Sequence, residues 1–264
     1  MVRVTLLLGL ILLGCGGAQA PTSYKDQAQY VYREAQSLLD DGNYLEALNQ
    51  FNKVKNEFPY SPYAALAALG VGHVYFAEEK YVEAIDVYRL FVRSYPEHAE
   101  VPTALYKESR AFFEQRPSEV AIFPPAYERD RGPTNDAILA LDRFLTRFPS
   151  DKRVKNAQKM RRDCRGSLAD YELYVAQFYL EQNKPWSARQ RLEKVFMEFE
   201  DTPSRWRKAS VLLVDTYLQL SQPLPDDIEA VPQANALAKK IVQALAERYP
   251  NAEELQSPLI QQLR

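Results

Sequence analysis

Cysteine and histidine are nearly absent from this chain, and their scarcity removes several kinds of chemistry. The 264 residues include two cysteines, Cys15 and Cys164, and two histidines, His73 and His98. Neither histidine has a cysteine or carboxylate at metal-ligand spacing, so we expect no metal site. No serine lies in a nucleophile elbow, and the Gly-Val-Gly at 70–72 lacks the third glycine and preceding strand of a phosphate-binding loop. We therefore expect neither an enzyme nor a cofactor.

An excess of charge of one sign is also lacking. Lysine and arginine total 33, against 35 for aspartate and glutamate. Such a balance provides no basic surface that would hold phosphates or anionic lipid headgroups nonspecifically. We expect no nucleic-acid partner.

The apolar run at the N-terminus is too short for a membrane span. Val4 to Leu13 is ten residues long, whereas a transmembrane helix needs about 20. Arg3 precedes the run and Gly14-Cys15 follows it, which is the order of a bacterial signal peptide. The similarity to a lipobox implies cleavage before Cys15 and acylation of its thiol. The alternative is an ordinary signal peptide that happens to contain a cysteine.

This interpretation divides the N-terminus into a signal peptide, residues 1–14, and a lipid-anchored flexible linker, residues 15–26. Gly16 and Gly17 after the cysteine favour the outer membrane. With Cys15 acylated, Cys164 has no partner for an intramolecular disulfide, and we expect it to be a small buried residue.

From about residue 27 onward, one helical pattern recurs. It consists of an alanine, apolar residues four and seven positions later, an aromatic at eleven and usually proline at twelve. The five copies begin at Ala47, Ala84, Ala137, Ala188 and Ala238. Offsets of four, seven and eleven lie on one face of a helix, and proline cannot continue it, so each copy predicts the second helix of a hairpin.

A small residue twelve positions upstream of the alanine, where two helices would cross, occurs in three copies: Ala35, Gly72 and Ala176. The pattern resembles the tetratricopeptide repeat. We therefore predict an all-α superhelical solenoid of about five such hairpins, with repeats 1–3 in residues 27–149 and repeats 4–5 in residues 150–264. Non-helical insertions at Glu114–Pro133 and Pro223–Pro232 lengthen the third and fifth repeats.

Two further local predictions concern the helix ends. No strong breaker except Gly166 separates Ser150 from Lys184, so the fourth repeat should contain one long helix. Ser61-Pro62 and Thr202-Pro203 are typical of an N-cap followed by a first-turn proline.

Tyrosines concentrate in the first two repeats, and most should belong to the core. Tyr60 and Tyr63, which flank Ser61-Pro62, are less constrained by the repeat. Together with Tyr44 and Ser61, they are our candidates for a groove that accepts an extended peptide, because tyrosine buries area at low entropic cost and keeps a hydroxyl.

The lipobox, the repeats and several local motifs resemble the BamD family of outer-membrane-protein assembly lipoproteins. The motifs are Phe58-Pro59-Tyr60-Ser61-Pro62-Tyr63, Tyr81-x-x-Ala84-Ile85-x-x-Tyr88, Arg129-Asp130-x-x-Pro133-Thr134-x-x-Ala137 and Glu172-x-Tyr174-Val175-Ala176-x-Phe178-Tyr179. The resemblance covers nearly the whole chain. It implies a lipid-anchored scaffold on the periplasmic face of the outer membrane, within the barrel-assembly machinery and beside other assembly lipoproteins.

The resemblance also implies partners and a contact residue. The N-terminal repeats would receive nascent outer-membrane proteins, and the C-terminal repeats would dock on a POTRA domain of the central barrel subunit. Arg191 falls where the family has an arginine that contacts that domain. Pro185-Trp186 and Glu200 depart from the family pattern near it. The alternative role for Arg191 is an exposed helical residue paired with Glu193 or Glu198.

Two other functional classes remain open. A lipid-anchored repeat scaffold for pilus or cell-envelope assembly would share the anchor and the solenoid, although its repeats would more often be regular. A wall-processing enzyme would need a catalytic domain, for which residues 251–264 leave no room.

Overall fold

The computed structural model describes residues 23–117, 125, 129–221 and 231–263. Its α-helices are α1 (Tyr24–Asp40), α2 (Tyr44–Glu57), α3 (Tyr63–Ala77), α4 (Tyr81–Ser94), α5 (Val101–Gln115), α6 (Gly132–Arg147), α7 (Val154–Glu181), α8 (Pro185–Glu198), α9 (Pro203–Gln219), α10 (Ala234–Arg248) and α11 (Pro258–Gln261), with a short 3₁₀ helix at Glu253–Gln256. No strand occurs in these ranges, so the predicted all-α class of helical hairpins is confirmed.

Several predicted features fall outside the described ranges. These are Cys15, the signal peptide and most of both insertions. Within the ranges that the structure describes, no helix is both long enough and apolar enough to cross a bilayer.

Three predicted boundaries are wrong by a few residues. The linker was expected to extend to residue 26, but α1 begins at Tyr24, because the Ser23 hydroxyl accepts a hydrogen bond from the backbone N–H of Asp26 at 3.1 Å. The first insertion was expected to span Glu114–Pro133, yet α5 runs to Gln115 and α6 begins at Gly132. Pro133 is tolerated in the first turn of α6 because the N–H groups of a first turn have no acceptor within the helix.

The chain forms two compact units, and the boundary between them in the sequence falls within α3. The first ends at Val71 and the second begins at Gly72. The first contains the α1–α2 hairpin, and the second contains the hairpins from α4 onward. The division of the repeats at residues 149 and 150 follows the repeat count rather than these units, and it stays a prediction.

The repeat alanines form the contact points of the core. All five, Ala47, Ala84, Ala137, Ala188 and Ala238, are fully buried, as are the upstream Ala35 and Ala176. The residues four and seven positions after each alanine are at most 3% exposed. The predicted register of the second helices is therefore confirmed.

Each second helix also ends at the same repeat position. The aromatic residue at offset eleven is the C-cap, and its N–H donates to the carbonyl at offset seven, in the pairs Phe58–Val54, Tyr95–Phe91, Phe148–Phe144, Phe199–Val195 and Tyr249–Leu245. Helix α8 ends this way although Glu200 replaces the proline. There, the Arg248 guanidinium donates to the Glu200 carboxylate at 2.7 Å.

Four of the five repeats have a left-handed residue five positions before the repeat alanine. It is Gly42, Glu79, Asn183 or Gln233, with φ between 56° and 77°. In the α7–α8 turn this residue is Asn183, and asparagine tolerates the left-handed conformation better than most residues. The N–H of Lys184 donates to Tyr179 at 2.8 Å, which closes the end of α7. Pro185-Trp186 therefore leaves the turn before Arg191 with the repeat geometry.

The predicted long helix is confirmed as α7, whose 28 residues extend about 42 Å. It packs against α6 and α8 and also reaches α9. Gly166 lies within α7, which contains no proline that would kink it. The Arg205 guanidinium packs against this glycine.

The predicted N-cap position is confirmed for Thr202, which directly precedes α9, whereas α3 begins at Tyr63 and Ser61 is not adjacent to it. Neither residue's hydroxyl makes the expected capping bond. Their hydroxyls donate backward to the carbonyls of Phe58 and Phe199, each at 2.8 Å. No side chain caps α9, although Pro203 does occupy its first turn as expected. Both hydroxyls therefore close the preceding helix, because the three-residue spacing places them beneath its last carbonyl.

The crossing of α3 and α4 shows why a small residue is needed. A Cβ on Gly72 would lie 2.6 Å from Cε1 and 2.9 Å from Cδ1 of Tyr88. Tyr88 is fully buried, and its hydroxyl lies 2.9 Å from Nδ1 of His73. The ring therefore has no room to withdraw from an added methyl group.

Gly72→Ala should destabilise the protein. The forced displacement of Tyr88 costs about 1–3 kcal/mol and outweighs the gain of up to about 1 kcal/mol that alanine usually brings to a helix. Gly166→Ala is the control, since its Cβ would meet the mobile end of Arg205 at 3.3 Å. Urea denaturation should show a lower midpoint for Gly72→Ala alone. Equal midpoints for the two variants would contradict the close crossing.

His73 should make stability depend on pH. Burial, helped by the charge of Lys107, lowers the pKa of His73 from 6.5 to about 4. Below pH 6.5 the His73 imidazole is protonated in the unfolded chain, whereas in the folded chain it stays neutral down to about pH 4. The free energy of unfolding therefore falls by about 3 kcal/mol as pH decreases through this window.

His73→Gln should remove this component. Relative to wild type, the variant should gain about 3 kcal/mol between pH 7 and pH 4 in denaturant titrations. His98→Gln is the control, because it removes the other histidine and leaves the buried ring in place. A difference between wild type and His73→Gln that is constant with pH would disprove the assignment.

Candidate functional site

The first candidate surface is an aromatic end of the α1–α2 hairpin, formed by Tyr24, Phe58 and Tyr60. Tyr60 is 94% exposed, and its backbone N–H donates to the hydroxyl of Tyr24 at 3.4 Å. The ring centroids of Tyr24 and Phe58 lie 5.2 Å apart. Tyr24 was predicted to lie in the linker, so it was not among the expected groove residues. The Ser23-x-x-Asp26 spacing was the signal that a helix begins there.

The other residues proposed for this groove are less available. Ser61 is buried and its hydroxyl is used by Phe58, so it offers no free donor. Tyr63 is half-buried, with its ring 5.5 Å from that of Tyr32. Tyr44 begins α2, whose 14 residues separate it from the aromatic end by about 20 Å. The structure therefore brings Tyr60 together with Tyr24 and places Tyr44 elsewhere.

The second candidate surface surrounds Arg191 on α8. Its Nη1 donates to Oε2 of Glu172 on α7 at 3.0 Å, and Nζ of Lys194 donates to Oε1 of the same carboxylate at 2.6 Å. Glu172 is 2% exposed, whereas the side chains of Arg191 and Lys194 are 39% and 41% exposed. The cluster thus buries one negative charge beneath two half-exposed positive charges.

The alternative pairing of Arg191 with Glu193 or Glu198 is not seen. Glu193 instead accepts a hydrogen bond from the Tyr217 hydroxyl on α9 and pairs at 3.6 Å with Arg189, four residues earlier on α8. Glu193 is two residues from Arg191, and residues two apart on a helix do not face each other. Arg191 pairs instead with Glu172 on the facing helix α7, because this buried carboxylate requires a cationic partner.

A second buried carboxylate repeats this arrangement. Glu108 on α5 is fully buried and binds Arg89 at 2.8 Å and Arg143 at 2.5 Å. Arg143 and Lys194 hold the same repeat position, six residues after the repeat alanine. Neither Glu108 nor Glu172 was predicted to be a buried ion-pair partner. An acid among buried positions of a first helix, facing a base at offset six, was the available signal.

The two candidate surfaces present exposed tyrosine rings and a cluster of two bases around one carboxylate. The described ranges contain no group of three or more metal-ligating side chains. Cys164 is fully buried as predicted, and burial raises the pKa of its thiol to about 11, which keeps it protonated and unreactive.

Comparison with known proteins identifies relatives along most of the chain. Outer membrane protein assembly factor BamD of Caulobacter vibrioides is 27% identical over 81% of this chain and 68% of its own. BamD of Rickettsia prowazekii is 24% identical over 96% and 92% of the two chains, and BamD of Vibrio cholerae is 26% identical over 86% and 94%. A solved tetratricopeptide repeat protein from Parabacteroides merdae aligns over 89% of this chain and 72% of that chain, with 14% identity and a TM-score of 0.36.

The family match covers the region that contains both candidate surfaces. The YfiO family, described as an outer membrane lipoprotein family, matches residues 24–230. This range begins at the first residue of α1 and includes Tyr60 and Arg191. The resemblance seen in the sequence is therefore confirmed, and the chain belongs to the YfiO family of outer membrane lipoproteins.

Proposed function

We propose that this protein is a lipid-anchored scaffold of outer-membrane protein assembly, held on the periplasmic face of the outer membrane. The family and the BamD relatives support the assembly role and the membrane. The anchor is the acylated thiol of Cys15, which the lipobox-like run before it supports. In this proposal the scaffold acts by binding its partners.

In this role, the C-terminal repeats dock on a POTRA domain of the central barrel subunit through Arg191. One observation carries this docking: the buried carboxylate of Glu172 holds Arg191 from below while the side chain stays 39% exposed. A guanidinium fixed in this way loses little freedom on binding, and its remaining N–H groups suit a carboxylate of the partner. Lys194 shares the same carboxylate but lacks the planar fork.

The aromatic end is the proposed receiving site for nascent outer-membrane proteins. Tyr60 and Tyr24 expose large, rigid rings there, and such rings bury area at a low cost in side-chain entropy. The C-terminal strand of an outer-membrane protein is an extended apolar–aromatic segment that would pack on these rings. Tyr63 borders the surface, and Tyr44 is not part of it.

Arg191→Gln should weaken binding to the isolated POTRA region. Losing one partner of a desolvated interfacial pair costs about 2–5 kcal/mol, so the Kd should rise about 30-fold or more. Lys194→Gln is the control, because it removes the other base from the same carboxylate. Both variants should lose similar stability, since each leaves Glu172 with one partner, but only Arg191→Gln should lose affinity. If the two variants bound the POTRA region with equal affinity, Arg191 would have a purely structural role.

Tyr60→Ala should weaken binding of a peptide with the sequence of a C-terminal outer-membrane strand. We expect a loss of about fivefold or more, as for a residue contributing about 1 kcal/mol. Tyr30→Ala is the matched control, since Tyr30 is 61% exposed on α1. Fluorescence anisotropy with the purified chain measures both. Peptide affinity that survives Tyr60→Ala unchanged would exclude the aromatic end.

A further inference from the structure

An apolar groove lies on the far side of α8 from Arg191. Helices α8 and α10 form its walls and α9 its floor. Six of the nine lining residues are apolar, namely Phe196, Met197, Leu213, Leu237, Ile241 and Ala244, and the other three are Glu193, Tyr217 and Lys240. Its volume of about 400 Å³ falls within the range of sites that hold ligands. The second helices of two successive repeats therefore leave space that their own side chains do not fill.

The polar groups at this groove carry an unbalanced positive charge. Glu193 lines it, but its carboxylate is already held by Arg189 and Tyr217. Lys240 also lines the groove and is exposed on α10. No carboxylate of the residues that the structure describes lies within ion-pair distance of the Lys240 ammonium group. An occupant with a negative charge beside its apolar surface would complement this lysine.

The walls of the groove favour a helical occupant over an extended one. The backbone groups of α8, α9 and α10 are bonded within their helices, and the lining contains no asparagine or glutamine. An extended peptide would bury unpaired N–H and C=O groups there, whereas a helix satisfies its own. Met197, 67% exposed at the mouth, is unbranched and adapts to the shape of an incoming side chain.

We propose that this groove binds an amphipathic helix of a partner protein, whose apolar stripe fills the space between α8 and α10 and whose flanking acidic residue pairs with Lys240. Anchors at i, i+3 or i+4, and i+7 would follow the groove, as in other helix-in-groove complexes. The site is separate from the Arg191 cluster, which faces α7, so a partner here could bind while a second partner occupies that cluster.

The test uses a synthetic amphipathic helix with leucines at these spacings and glutamates beside them. A lysine version and a version with a central proline are the comparison peptides. The purified chain should bind the glutamate peptide at least tenfold more tightly than either. No binding of the glutamate peptide would overturn the proposal, and equal binding of the proline peptide would overturn the helical occupant.

Variants then locate the binding. Met197→Asp should weaken the glutamate peptide at least tenfold, whereas Val82→Asp, at a residue 61% exposed on α4, should leave it unchanged. Lys240→Glu should reverse the preference between the glutamate and lysine peptides. Equal effects of Met197→Asp and Val82→Asp, or no reversal, would overturn the assignment to this groove. A wild-type dimer in sedimentation that Met197→Asp dissociates would also overturn it, in favour of a second copy as occupant.

Discussion

The close approach of paired helices at the repeat alanine is the constraint on which the rest of the structure depends. Because Ala84 and its counterparts are fully buried, the residues four and seven positions later also face the core, and the aromatic at offset eleven ends the helix. The crossing at Gly72 has no room for one additional carbon. Interiors this dense respond to single methyl groups, so the register leaves little freedom in these segments.

Buried carboxylates impose a second constraint, which determines where functional cations can lie. Glu108 and Glu172 sit on first helices and each requires cationic partners, since an unpaired buried charge costs several kcal/mol. The bases come from second helices and remain half-exposed. Each buried carboxylate therefore fixes the position and direction of an arginine whose side chain faces solvent. Stability and partner binding are joined at these residues, and the comparison of Arg191 with Lys194 separates them.

The sequence predicted the features that depend on periodicity. The five second helices, the small residues at the crossings and the length of α7 were all readable, because spacing along a helix determines a face. Features that depend on contacts between helices were not. The partner of Arg191, the role of Tyr24 beside Tyr60 and the groove behind Met197 all arise from residues distant in sequence. The hydrogen bonds of Ser61 and Thr202 were mispredicted for another reason. A hydroxyl between two helices can bond to either one, and both of these donate to a carbonyl at the end of the preceding helix.

Glu200 stands where the other repeats have proline, and it adds an ion pair between the fourth and fifth repeats without changing the end of α8. Proline in that position restricts the chain but offers no side-chain acceptor. Glutamate leaves α8 ending at the same residue, and its carboxylate reaches Arg248 in the last turn of α10. The connection is exposed, so its strength should decrease with ionic strength. Motion between the last two repeats would then respond to the salt content of the surrounding fluid, whereas repeats closed by proline lack that sensitivity at this position.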